Sequence, residues 1–168
     1  ISEESIKKYI EKVFGKFSDE NVGLSFEKFA DLPRGQKVIQ LETPQSSVVF
    51  GHPGLSRSDK DYFSLRLANY ILGGGGFQSR LYKQIREKRG LVYSIYSYPI
   101  SYKHDGFIMG GFQTRNKSVF ETVNRVKEEW AKISKRGITK KELDAAKAYY
   151  KGSFTRNFTS TVSIANLL

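Results

Sequence analysis

The sequence predicts an α+β domain: a two-layer sandwich in which a mixed, mostly antiparallel sheet carries helices packed on one face. Three observations carry this. Helical and strand periodicities both occur, and they follow the order helix, two strands, two helices, two strands, two helices. The strict strand-helix-strand alternation of a doubly wound nucleotide-binding fold is absent. A chain of 168 residues, 39% hydrophobic and 14% aromatic, is long and apolar enough for one domain with a real core.

The elements follow in order. Ser2 reads as an N-cap with Glu3 and Glu4 in the first turn, and Ile6, Tyr9, Ile10 and Val13 recur at helical spacing until Gly15. Residues 16–35 show little periodicity and read as a connector with room for one short strand. The runs Val38, Ile39, Leu41 and Val48, Val49, Phe50, separated by Thr43-Pro44-Gln45, predict two adjacent strands. From Asp59 to Leu72, Phe63, Leu67, Tyr70 and Ile71 form an amphipathic stripe closed by Gly73-Gly74-Gly75-Gly76. A further helix places Leu81 and Ile85 inward and breaks at Gly90. Two long hairpin-paired strands follow, Leu91 to Tyr102 and Gly106 to Thr114, joined at His104-Asp105-Gly106. Within the first of them Val92, Tyr96, Tyr98, Ile100 and Tyr102 alternate, with a break only at Ser94. Ser118 caps a helix with Val119, Val123, Val126, Trp130 and Ile133 on one face, ended by Gly137. Thr139 to Glu142 is a capping box that opens a last helix through Leu143, Ala146 and Tyr150.

Composition excludes several chemistries. There is no Cys, so no disulfide, thiolate metal site or cysteine nucleophile. His52 and His104, assigned to separate loops, lie outside any His-x-x-Glu-His pattern, so the chain is expected to bind no metal of its own. No serine sits in a Gly-x-Ser-x-Gly elbow. The glycine run follows a helix and lacks Gly-Lys-Ser/Thr, so it reads as a C-cap and hinge in place of a phosphate loop. No stretch approaches the length of a membrane span. The net charge of +11 is uneven: residues 81–151 carry 16 basic against 7 acidic side chains. These are dispersed over helix faces such as Lys132, Lys135, Arg136, Lys140 and Lys141, which reads as a solvated surface. A nucleic-acid module stacking bases on Tyr96, Tyr98 and Tyr102 is the competing account, and no nucleic-acid partner is expected. With no initiator Met and an apolar run from Ile164 to Leu168, the chain is expected to be a piece of something longer.

The segment Gln84 to Ser94 is the informative one. It passes from a helix end into a long strand, so Arg86 and Tyr93 project near the same sheet edge. A guanidinium fork and a phenol are a donor set for a peptide carbonyl or a developing oxyanion; a surface arginine beside a packed tyrosine is the alternative the residues leave open.

Leu72 to Leu81 (LGGGGFQSRL) and Arg86 to Ser94 (REKRGLVYS) closely resemble the second homologous domain of the pitrilysin family of zinc metallopeptidases, which includes insulin-degrading enzyme and the mitochondrial processing peptidase. Thr43-Pro44-Gln45, Asp61-Tyr62 and Thr139 to Lys147 fit the same domain, so the resemblance covers residues 36–168. It implies a processing-peptidase-like metallohydrolase fold, with residues 1–15 as the last helix of a preceding homologous domain, 16–35 as an interdomain connector, and 36–168 as a second domain truncated at its C-terminus. In the family the zinc, its His-x-x-Glu-His helix and the general base belong to the first domain, and the second closes over the peptide like a clamshell. An Arg and a Tyr seven residues apart are the second domain's contribution, and they fall on Arg86 and Tyr93. Their implied role is to orient the substrate backbone, with Tyr93 helping to stabilise the tetrahedral intermediate. Gly73, Gly74, Gly75, Gly76, Ser79 and Arg80 are expected to be structural.

The implied activity is that of half a zinc metalloendopeptidase, inactive alone, with zinc bound by the other half. Implied partners are a peptide or unfolded-protein substrate and the zinc-bearing domain or subunit, in one polypeptide or a homo- or heterodimer. The family also supplies inactive subunits and respiratory-complex core proteins, so a non-catalytic scaffold is the alternative. It occurs in cytoplasm, periplasm and mitochondria; a bacterial cytoplasmic or periplasmic setting is expected.

Overall fold

The computed structural model describes residues 2–17 and 34–165. A three-stranded antiparallel sheet is built from β1 (Gln45–Pro53), β2 (Val92–Ser101) and β3 (Gly106–Arg115) in the order β1-β3-β2. Its helices are α1 (Glu3–Phe14), α2 (Tyr62–Asn69), α3 (Val119–Arg136), α4 (Lys140–Phe154) and α5 (Thr161–Ala165). The predicted α+β class holds.

The hairpin forms as the alternation predicts. β3 takes the centre, with Val48 opposite Phe112 on one side and Ile95 opposite Phe112 on the other. The turn is closed by Tyr102 N–H donating to Asp105 O at 2.7 Å. Phe112, Val92 and Ile95 face the helices and meet Leu72, Leu81, Ile85 and Val126; Val48, Phe50 and Trp130 pack at the margin of this core. Leu81 and Ile85 are fully buried, as their spacing predicts.

Three expectations are corrected. The run Val38, Ile39, Leu41 forms no strand, and these side chains are 69 to 73% exposed. β-branched residues favour a pleated, half-buried surface, yet a strand also needs a ladder partner, and among the described residues β1 pairs only with β3. The helix expected from Asp59 begins at Tyr62, because Asp59 Oδ1 accepts from Asp61 N at 2.8 Å and holds a turn there; Phe63, placed on its buried stripe, is exposed. On β2 the alternation places Ile95 and Ser97 on the core face and Tyr96 and Tyr98 on the open face. His52 lies within β1, its ring 5.3 Å from that of Trp130.

The last two long helices form where their signals place them, although Ser118, at the N-cap of α3, makes no side-chain capping hydrogen bond. α3 ends at Gly137, and α4 opens on Thr139, whose hydroxyl accepts from Glu142 N at 3.3 Å while Glu142 Oε2 accepts from Thr139 N at 2.8 Å. α1 forms with Ser2 as N-cap, and its apolar stripe stays exposed. Residues 18–33, most of the predicted connector with its possible strand, and 166–168 lie outside the described residues. Among the described residues no helix is long and apolar enough to cross a membrane.

Candidate functional site

Between α2 and β2 the chain takes two wide π-helical segments, Tyr70–Gly74 and Tyr82–Glu87, separated by a short 3₁₀ turn at Gly76–Gln78. Such i→i+5 insertions cost hydrogen-bond geometry and are common at functional positions. The first segment lies against β2. A Cβ at Gly73 would collide with Ser97 Oγ and lie 2.9 Å from Ser97 N, so only glycine lets the helix come this close. The contact is fixed by a reciprocal pair: Asn69 Nδ2 donates to Ser97 O at 3.0 Å, and Ser97 Oγ donates to Asn69 Oδ1 at 2.8 Å. Both residues are buried.

Ser79 and Arg80 hold the turn that follows. Ser79 is fully buried, its hydroxyl donating to Gly76 O at 2.8 Å and accepting from Tyr82 N at 3.3 Å. Arg80 Nε and Nη2 grip the two oxygens of Glu142 at 2.6 and 2.7 Å, and Nη2 reaches Gly137 O at 3.3 Å. The Arg80 hydrogen bonds hold the Glu142 carboxyl well down, at about 2, against the opposing effect of burial; bonds from Thr139 add to this. Glu142 in turn raises Arg80 above its ordinary value. One carboxylate therefore caps α4 and ties it to the glycine turn.

Arg86 and Tyr93 come together by three backbone devices. Arg86 O accepts from Gly90 N at 2.8 Å, and Ile85 O accepts from Leu91 N at 3.1 Å, so the helix reverses tightly into β2. Gly90 sits at φ +59, the left-handed region that this reversal needs. Between Val92, opposite Thr114, and Ile95, opposite Phe112, β2 has one residue more than β3, a bulge that turns Tyr93 outward. The Arg86 guanidinium then lies over two rings, 4.7 Å from the centroid of Tyr82 and 5.3 Å from that of Tyr93. Tyr82 is buried, Arg86 half-buried and Tyr93 84% exposed.

The pair is chemically open. Stacking uses the face of the guanidinium and leaves its in-plane N–H groups to donate. Neither those groups nor the Tyr93 hydroxyl has a hydrogen-bond partner among the described residues. Beside a backbone carbonyl the set offers a neutral and a charged donor, the requirement for holding a carbonyl oxygen as negative charge develops on it. Tyr82 was not singled out by the sequence reasoning, although its position four residues before Arg86 puts both on one helical face. The Asn69–Ser97 pair was also missed; an asparagine inside the apolar stripe of α2 was its signal.

Among the described residues no group of three or more His, Asp or Glu side chains is placed to hold a metal ion. The described residues do not fit a zinc site.

Residues 1–150 match the family described as "Peptidase M16 inactive domain". A Bacillus subtilis (strain 168) protein named "Uncharacterized zinc protease YmxG" is 33% identical over 162 residues, 95% of this chain and 39% of that protein. A Helicobacter pylori (strain ATCC 700392 / 26695) relative named "Non-peptidase homolog YmxG" is 35% identical over 121 residues, 71% of this chain and 28% of that protein. Among solved structures, a peptidase M16 inactive domain from Pseudomonas fluorescens superposes with a TM-score of 0.68 at 39% identity, over 74% of this chain and 30% of that one. The chain thus spans well under half the length of these relatives.

Proposed function

The chain belongs to the M16, pitrilysin-type peptidase family as an inactive domain, and from that premise we propose that it is the substrate-binding, active-site-completing half of a zinc-dependent metalloendopeptidase. In this proposal residues 1–15 close a preceding homologous domain, 16–35 connect, and 36–168 form the second lobe of a clamshell whose other half carries the zinc. The metal supplies the activated nucleophile there. Here the work is positioning: Arg86 donates to the substrate backbone, and Tyr93 donates its phenolic proton in a hydrogen bond to the carbonyl oxygen at which charge collects.

The observation that carries this is the Arg86–Tyr93 pair itself, preorganised on Tyr82, with Tyr93 exposed and no hydrogen-bond partner for its donors among the described residues. Preorganised donors stabilise a transition state without reorganising at the moment of reaction. The test is cleavage of an unstructured peptide by this chain joined to its zinc-bearing half. Tyr93→Phe is expected to lower kcat about 10- to 100-fold with little change in KM. An effect confined to KM would reduce Tyr93 to a ground-state contact. The chain alone, given zinc, is expected to cleave nothing, and chelator-sensitive cleavage by it would overturn the division of labour.

A second reading, a non-catalytic partner subunit, is favoured by the name of the Helicobacter pylori relative. It predicts stable assembly with a homologous half and no cleavage by the complex.

A further inference from the structure

A cleft of about 650 Å³ lies beside the free edge of β2, bounded by α2, the glycine turn and α4. We propose that this cleft is a subsite for an acidic side chain of the peptide substrate, held by Arg57 and Arg66. The proposal rests on the peptide-binding function above and names a preference within it.

Charge is the first argument. Arg57 and Arg66 both line the cleft, and no Asp or Glu does. Among the described residues no carboxylate lies within ion-pair distance of either, whereas Arg80 and Arg125 both have glutamate partners. Two unneutralised guanidiniums in one concavity produce a local positive potential that a carboxylate relieves.

Arg66 is also preorganised. Its guanidinium stands 5.3 Å from the Tyr150 ring centroid and 5.8 Å from that of Tyr62. These cation–π contacts restrict the guanidinium while using none of its N–H donors, which stay available for a carboxylate, so less entropy remains to be lost on binding. The phenol of Tyr70 on the same wall is pushed above its ordinary value by burial and by Tyr149 and Tyr150, which keeps it a neutral donor.

The strand edge decides what can enter. Ser97 O, on the outer side of β2, is already taken by Asn69 Nδ2, and Pro99, two residues on and pointing the same way, has no N–H to offer. An added β-strand therefore cannot run through this stretch, but a side chain can reach in from a peptide passing alongside. Gly73 and Gly74 leave that side of the cleft without side chains. Tyr96 and Tyr98 line it three and five residues from Tyr93, about 10 and 17 Å along an extended strand. In an extended substrate this is an acidic residue three to five positions from the bond held at Tyr93.

The test is fluorescence anisotropy with the 168-residue chain and three labelled peptides, with far-UV circular dichroism as a check on every variant. One peptide has internal Asp and Glu and blocked termini, one replaces these with Asn and Gln, and one is neutral with a free C-terminal carboxylate. The acidic peptide is expected to bind at least about tenfold more tightly than its amide counterpart, a preference that shrinks as salt is raised. Arg66→Gln and Arg57→Gln should each remove most of that ratio by weakening the acidic peptide much more than the amide peptide, while Arg86→Gln should weaken both peptides alike and so leave the ratio intact. Arg66→Lys, which keeps the charge and loses the fork, covers the case in which Arg66→Gln unfolds.

Equal binding of the first two peptides overturns the proposal. So does a preference for the third peptide, a ratio lost with Arg86→Gln but not with Arg66→Gln, or loss of the ratio on adding inorganic phosphate at an ionic strength where chloride leaves it intact, which would reassign the cleft to a free anion. The two proposals fail separately. A preference that persists without cleavage by the assembled halves sinks only the peptidase reading; Tyr93-dependent cleavage without the preference sinks only the subsite.

Discussion

Arg80 and Arg86 stand six residues apart in one segment and are used in opposite ways. Arg80 spends its fork on Glu142 and its remaining reach on Gly137 O, locking α4 to the glycine turn. Arg86 lies over the Tyr82 and Tyr93 rings, and among the described residues it has no carboxylate partner. An arginine whose in-plane donors are consumed internally is structural; one held only by its faces is positioned and still available. The same comparison separates two glycines: Gly73 is required by close approach and Gly90 by a left-handed reversal.

The largest effect that sharpens the contrast is on stability. Arg80→Ala leaves a half-buried carboxylate without its main partner and is expected to cost about 2 to 4 kcal/mol, whereas Arg86→Ala, losing stacking alone, should cost about 1 kcal/mol or less. Urea unfolding of both variants measures this, and equal losses would erase the distinction.

Next in size is the dependence on pH. Glu142 has a carboxyl lowered to about 2 in the folded chain against about 4.3 when unfolded. A depressed carboxyl contributes stability that is present above its unfolded value and is lost as pH falls towards 2. This pair should thus supply on the order of 2 kcal/mol at neutral pH, decaying between about pH 5 and pH 2. Glu142→Gln should flatten that part of the stability profile, and a profile unchanged by the substitution would mean that the ion pair contributes little.

The smallest effect is at Tyr82. Tyr82→Leu keeps an apolar side chain under Arg86 and removes the ring, so a loss of about 0.5 to 1 kcal/mol in stability is expected. In the assembled enzyme it should weaken catalysis less than Tyr93→Phe does, because Tyr82 acts through Arg86. A larger loss at Tyr82 would place the important contact in the buried ring.

Legibility in the sequence followed whether a signal was local. The α4 capping box, the Gly137 stop and the inward Leu81 and Ile85 need only their own neighbours, and all are present. Val38 to Leu41 carries the composition of a strand, but pairing depends on a partner that composition does not reveal. The alternation in β2 was legible while its sense was not, because Ser97 lies inward only where Asn69, 28 residues away, satisfies it. The Arg86–Tyr93 spacing stood out through family resemblance, but the turn, bulge and third ring that bring the pair together do not show in the two residues alone.

The bulge at Tyr93 has a further consequence. Because β2 carries one residue more than β3 between Val92 and Ile95, the sheet keeps its count without using Tyr93. Ladder partners, core volume and strand phase are all set by the residues around it. The identity of the side chain at this position is free of the demands of folding and answers to whatever approaches from outside.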